Sequence, residues 1–264
     1  MKTYLLPLAL LFLAIQSAAQ QKTQILSPVD GKIVGIWPHE NKLRSADKLR
    51  ELREKYGFSY LLIAAPYGDQ FYENVRISGY DADHIMKQIY YPDLANRPDW
   101  FWKNIGSLGR VWAYYIDEPV SRGFPYTAVL KLFSDLCDKG FYPAAKFVVG
   151  ELDEKKAERF LNTADAVMYS GYGSRDKLGT DQVQSWHDWN QYLGPKFSMI
   201  WISSDDDSLE YRTLLKAAED QGINAVWFYQ YEPLDSGKET GNENLQRFCD
   251  AAVEFGFLRL NKQK

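Results

Sequence analysis

The chain has 264 residues, a formal net charge of −4, and a composition that is 45% hydrophobic, 15% aromatic and 25% charged. This is ordinary globular composition with a surplus of aromatic rings, at a length that suits one large domain or two small ones. The mild acidity lacks the basic footprint that nucleic acid or an anionic membrane surface requires, so neither is an expected partner.

The first segment reads as a cleaved signal peptide. Lys2 precedes a mostly apolar run from Tyr4 to Ile15, and Ser17-Ala18-Ala19 places small residues at −3 and −1 of a cut after Ala19. The run is shorter than the roughly 20 apolar residues of a membrane-spanning helix, and no later stretch is long and apolar enough to span a bilayer. Residues 1–19 are therefore expected to be a leader and residues 20–264 the mature domain. That domain is expected to be secreted or periplasmic, with no membrane insertion after cleavage.

Beyond the leader, short apolar runs alternate with longer amphipathic ones. Strands are predicted at 32–37, 59–65, 85–90, 111–116, 144–149, 166–169, 197–202 and 225–229. Helices are predicted at 45–56, 71–77, 98–105, 125–139, 154–161, 182–192, 208–220 and 243–255. Gly57, Gly79, Gly140 and Gly222 close helices, and Pro66, Pro92 and Pro119 stop strands. Strands alternating with helices imply βαβ crossovers and a parallel sheet. Eight such units at this length predict an α/β fold of the (β/α)8 TIM-barrel type, in one domain. No Gly-rich phosphate fingerprint follows the first strand, which disfavours an open dinucleotide-binding sheet. Cys137 and Cys249 fall in the fourth and eighth helices, on opposite sides of such a barrel. Both are expected to be buried apolar residues rather than disulfide partners.

In a (β/α)8 barrel the site lies at the carboxyl ends of the strands. In strand order, those ends carry Trp37, His39 and Glu40; Tyr67; Asp93; Asp117 and Glu118; Glu151; Tyr172; Trp201 followed by Asp205; and Gln230, Tyr231 and Glu232. Aromatic rings stack on the apolar C–H faces of sugars, and carboxylates and amides bind the hydroxyl rim. The expected partner is a carbohydrate, with the caution that barrel aromatics are often plain core. The sharpest local signal is Tyr114-Tyr115-Ile116-Asp117-Glu118-Pro119. Adjacent residues of a regular strand point to opposite sides, so one of the two acids acts and the other supports. The competing reading is a capping or surface acid pair.

This Asp-Glu-Pro ending resembles the large group of barrel glycoside hydrolases whose fourth strand ends in Asn-Glu-Pro. The resemblance covers the barrel layout and this tripeptide. It implies that Glu118 is the acid/base and that Asp117 replaces the Asn that binds the sugar 2-hydroxyl. It also implies a second catalytic Glu ending strand seven, but that strand reads Met199-Ile200-Trp201-Ile202-Ser203. The activity so implied is cleavage of glycosidic bonds in an oligo- or polysaccharide by carboxylate acid/base catalysis. Glu118 is the expected proton donor. The second carboxylate is Glu232 first, in a Tyr-Glu-Pro echo of strand four, then Asp117, with Glu151 a further option. Trp37, Tyr67, Tyr172, Trp201 and Tyr231 are expected to line the cleft, with His39, Glu40, Asp93, Glu151 and Gln230 as polar contacts. The missing Glu on strand seven motivates an alternative, a noncatalytic carbohydrate-binding barrel. Chitinase-type chemistry is not expected, because Ile116 stands two residues before Glu118 where that group has Asp. His39, His84 and His187 are the only histidines, of which His39 and His84 are the candidates for the site face. Too few ligands gather for a metal, and neither metal nor cofactor is expected. Asp205-Asp206-Asp207 reads as acids at a helix N-terminus rather than a Ca2+ loop.

Overall fold

The computed structural model describes residues 25–38, 44–64, 69–107, 109–141, 145–151, 154–170, 188, 191–193, 196–203, 211–230 and 240–261. The expected leader and its cut lie outside these residues, as does most of the helix predicted at 182–192.

The elements in chain order are β1 (Leu26–Pro28), β2 (Ile33–Pro38), α1 (Ala46–Glu54), β3 (Tyr60–Ile63), α2 (Asp69–Ile77), β4 (Ile85–Ile89), α3 (Tyr91–Asn96), α4 (Pro98–Ser107), β5 (Ala113–Asp117) and α5 (Tyr126–Asp138). They continue with β6 (Lys146–Glu151), α6 (Glu154–Thr163), β7 (Ala166–Ser170), β8 (Phe197–Ser203), α7 (Tyr211–Asp220), β9 (Ala225–Gln230), α8 (Thr240–Glu254) and β10 (Leu258–Leu260). Strands β2 to β9 form a closed barrel in sequence order, with β9 returning to β2. Their pairing is parallel throughout, for example Trp37 opposite Tyr229 and Tyr115 opposite Val148. The chain therefore forms the (β/α)8 barrel that its periodicity predicts.

Period-two alternation makes two cores. Val34, Ile36, Leu61, Ile63, Ile116, Val149, Val167, Ile200 and Val226 face the helices, while Leu62, Met86, Tyr115, Val148, Met168, Met199, Trp201 and Trp227 fill the barrel. Each such aliphatic side chain contributes about 1.5–3 kcal/mol on full burial. The helices complete the outer core with stripes such as Leu49 and Leu52 of α1 and Val129, Leu132 and Leu136 of α5. Ser45 caps α1 by accepting the amide of Lys48 at 3.3 Å. Inside the barrel, a Cβ on Gly35 would fall within the Trp227 ring. The absence of a side chain there lets the indole occupy the axis, where its N–H donates to Met199 Sδ at 3.3 Å. Below it, Trp112 packs on Tyr60 at 5.0 Å and on Phe197 at 6.1 Å, with the Lys146 ammonium 5.0 Å over the indole. These rings plug the amino-terminal mouth.

Three features depart from the sequence reading. β1 and β10 pair antiparallel outside the barrel, Ser27 opposite Arg259, and tie the two ends of the domain together. Strands of three residues are too short to show periodicity. Pro92 does not stop a strand but sits in the first turn of α3, where its missing N–H costs nothing. Cys249 is buried as expected, but Cys137, one position past the buried Leu136, is exposed; both are free thiols.

Lys87 is the unusual residue of the outer core. It is 1% exposed on β4 and donates to the Tyr72 hydroxyl of α2 at 2.9 Å, which donates in turn to Asn104 of α4 at 3.2 Å. Burial pulls the ammonium pKa down to about 7, and the charge of Asp93 only partly offsets this. The unfolded chain, with the ordinary value of 10.5, then binds more protons than the folded one between pH 7 and pH 10.5. Stability from this residue therefore rises with pH across that window and falls as pH drops through the folded value. Lys87→Met is expected to raise Tm at pH 7 and to raise it much less at pH 10. An equal gain at both values in thermal melts would contradict this linkage.

Candidate active site

The carboxyl-terminal mouth of the barrel carries an aromatic floor. Trp37 of β2, Tyr115 of β5, Trp201 of β8 and Tyr229 of β9 all occupy inward positions. Trp37 lies 4.6 Å from Tyr229 and 5.7 Å from Trp201, and Trp201 stacks on Tyr229 at 5.6 Å and 25°. Tyr115 stacks on Trp201 at 6.4 Å and 26°. Trp201 and Tyr115 are buried, while Trp37 and Tyr229 keep part of their rings in solvent. The cluster thus presents two half-buried rings above two buried ones.

Asp117 stands at the rim of this floor. Its side chain is 17% exposed, so its charge is largely removed from water and needs compensation. One oxygen accepts the Tyr115 hydroxyl at 2.7 Å. The other accepts the Gln88 amide of β4 at 3.2 Å and the Arg122 guanidinium at 2.6 Å. Tyr115 reaches this position across Gly150 of β6, where a Cβ would lie 2.7 Å from the phenol oxygen.

Glu118 breaks the alternation that a regular strand would impose. Its φ of 47° places it in the left-handed region, and no other non-glycine among the described residues has a positive φ. Its amide still donates to Gly150 O at 2.7 Å, so β5 remains tied to β6 through the turn. The turn re-aims the side chain, and Arg122 Nη2 lies 2.6 Å from Asp117 Oδ2 and 3.4 Å from Glu118 Oε2. The two adjacent acids therefore converge on one cation, instead of pointing to opposite sides. Burial opposes the charge on Arg122, but Asp117 and then Glu118 outweigh it and hold the guanidinium above its ordinary pKa.

Of the residues expected from sequence, the structure brings Trp37, Asp117, Glu118 and Trp201 to this mouth. Asp93 is placed elsewhere. It is 6% exposed in the first turn of α3, ion-paired with Arg97, and its charge acts on the outward-facing Lys87. A strand end reading fails there because a helix begins at residue 91. His84 precedes β4, pairs with Asp81 and packs on Tyr60 at 4.9 Å, which puts it at the opposite, plugged mouth. His39, Glu40, Tyr67, Tyr172, Asp205, Tyr231 and Glu232 lie outside the described residues, as do the side chains of Glu151 and Gln230, whose backbones end β6 and β9. Tyr115, Tyr229, Gln88 and Arg122 were not anticipated. Counting back two positions from Asp117 and from Tyr231 would have found both tyrosines. Among the described residues no group of three or more His, Cys, Asp or Glu side chains could hold a metal ion. The described groups can stack, hydrogen-bond and exchange protons at their carboxyls.

No protein-family model and no curated protein matches the sequence. Solved structures match the fold. Active domain 2 of a thermostable chitinase from Pyrococcus furiosus aligns with a TM-score of 0.62 at 12% identity, covering 88% of this chain and 98% of that one. A sugar phosphate isomerase/epimerase from Parabacteroides distasonis gives 0.57 at 14% identity, covering 86% and 96%. A β-1,3-glucanosyltransferase from Rhizomucor miehei gives 0.55 at 12% identity, covering 81% and 92%. At these identities the likeness is one of fold, and barrels of this kind serve many chemistries.

The contact between Gly150 and Tyr115 makes a coupled pair. Gly150→Ala is expected to destabilise by about 1–3 kcal/mol through overpacking, and Tyr115→Phe by about 1 kcal/mol through the lost hydrogen bond. In denaturant melts the double variant should lose clearly less than the sum, because the displaced phenol has already left Asp117. Additive losses would contradict the geometry.

Proposed function

We propose that this barrel is a carbohydrate-active enzyme that cleaves glycosidic bonds in an oligo- or polysaccharide, with Glu118 as the proton donor at the carboxyl-terminal mouth. The observation that carries the reading is the left-handed backbone of Glu118. A non-glycine residue held there costs on the order of 1–3 kcal/mol, and such strain is concentrated at functional sites. Here it brings a second carboxylate round beside Asp117, next to rings that suit the apolar faces of sugars.

In this reading a sugar ring packs on the half-buried Trp37 and Tyr229, with Trp201 beneath. Glu118 protonates the leaving glycosidic oxygen. Asp117 has both oxygens engaged by Tyr115, Gln88 and Arg122, so it serves as an anchor and Glu232 is the proposed second carboxylate. Chitinase and glucanosyltransferase barrels among the similar structures support a carbohydrate substrate. The segment 1–19 supports export to the periplasm or the medium, where polymeric sugars are met.

A second reading is a carbohydrate-binding barrel without turnover. The observation favouring it is the end of β8, Trp201-Ile202-Ser203, which carries no Glu where the resembled hydrolases place one.

The experiment is turnover of a panel of polysaccharides and aryl glycosides by the mature protein, with Glu118→Gln alongside. Loss of a general acid is expected to lower kcat by about 10²–10⁴-fold with the fold intact. Full activity in the variant would remove Glu118 from the mechanism. Glycan binding in calorimetry with no product from any substrate would establish the second reading instead.

A further inference from the structure

Arg122 is built into the mouth of the barrel by its own loop. Its amide donates to Glu118 O at 2.9 Å, Gly123 donates to Val120 O at 2.9 Å, and Phe124 donates to Pro119 O at 2.7 Å. The chain therefore doubles back immediately after β5 and carries the guanidinium over the strand end. There one nitrogen lies 2.6 Å from Asp117 and 3.4 Å from Glu118.

The two contacts are not equivalent. The Asp117 contact is short, and the same carboxylate is fixed by Tyr115 and Gln88, themselves rooted in β5 and β4. The Glu118 contact is longer, and Glu118 is the more exposed acid, with its side chain at 25% against 17%. Asp117 is the anchored end of the arrangement, and Glu118 lies at the longer contact.

We propose that Arg122 is a positioning residue that, anchored on Asp117, holds the Glu118 carboxylate at the mouth of the barrel and favours its ionised form. This inference rests on the proposed role of Glu118 for its kinetic consequence. A cation within 4 Å of a carboxyl group favours the charged state. The other described groups around this acid pair act in known senses. Asp117 on β5 opposes ionisation by like charge, while Tyr115 on β5 and Gln88 on β4 are neutral donors to Asp117. Among the described residues, Arg122 is the cation placed against Glu118. A proton donor must be protonated to act, so Arg122 confines the activity of Glu118 to the acid side. The pH range of the reaction is then set from the loop and not from the floor of the site.

The test is a carbon-13 NMR titration of the Glu118 carboxyl in the full mature protein, its resonance identified by loss in Glu118→Gln. Wild type, Arg122→Gln and Arg122→Lys would be compared. Arg122→Gln is expected to raise the midpoint by about one pH unit, equivalent to about 1.4 kcal/mol, and Arg122→Lys to return it most of the way. The basic limb of the pH–activity profile should move upward in parallel in Arg122→Gln. A midpoint that stays in place in both variants would overturn the proposal. If Arg122→Gln fails to fold, Arg122→Lys carries the test, because its displaced, more hydrated ammonium should still raise the midpoint measurably. A shifted midpoint in a protein that turns over no substrate would sink the hydrolase reading and leave the role of Arg122 standing.

Discussion

A carboxylate at the mouth of an apolar barrel has to be compensated, and the arrangement of the site follows from how Asp117 is. Its side chain is mostly withdrawn from water, and an uncompensated charge there would cost several kcal/mol. Three donors meet it from three places: the Tyr115 hydroxyl two residues earlier, the Gln88 amide on the next strand, and the Arg122 guanidinium on the following loop. Each donor imposes a further condition. Tyr115 needs the space over Gly150. Gln88 must face inward, which sends Lys87 outward into the helix layer. Arg122 must be returned by a tight loop, and that loop begins with the left-handed turn at Glu118.

The rest of the barrel leaves this mouth as the available one. Trp227 fills the axis because Gly35 makes room, and Tyr60, Trp112 and Phe197 plug the far end. Above Trp227 the rings of Trp37, Trp201 and Tyr229 pack at 4.6–5.7 Å, Trp201 stacked on Tyr229 and Trp37 tilted against both, and only part of their surface remains exposed. Such rings form a rigid platform, since they have few rotatable bonds and pack against each other. The outer core pays for the inward Gln88 with the buried ammonium of Lys87, held by the Tyr72 hydroxyl.

The fold was legible because each of the eight units carries its own period, alternate residues on strands and three- and four-residue spacing on helices. The β1/β10 ribbon was not, since Leu26–Pro28 and Leu258–Leu260 are each shorter than two alternations. At the site, Trp37, Trp201, Asp117 and Glu118 follow from listing strand ends. Asp93 misleads that rule because α3 starts directly after β4 and takes its carboxylate into the helix layer. Gln88 and Arg122 matter through contacts with Asp117 that cross from a neighbouring strand and from a loop, and no local spacing encodes those. The convergence of both acids on Arg122 depends on one backbone angle at Glu118, which runs against the expectation for a non-glycine residue.

The most direct test of the account is a crystal structure of the Glu118→Gln protein with an oligosaccharide it binds. The expected result is a sugar ring against Trp37 and Tyr229, and a glycosidic oxygen within hydrogen-bond reach of residue 118, about 2.6–3.2 Å. A sugar seated elsewhere on the molecule, or one at this mouth with its glycosidic oxygen far from residue 118, would contradict it.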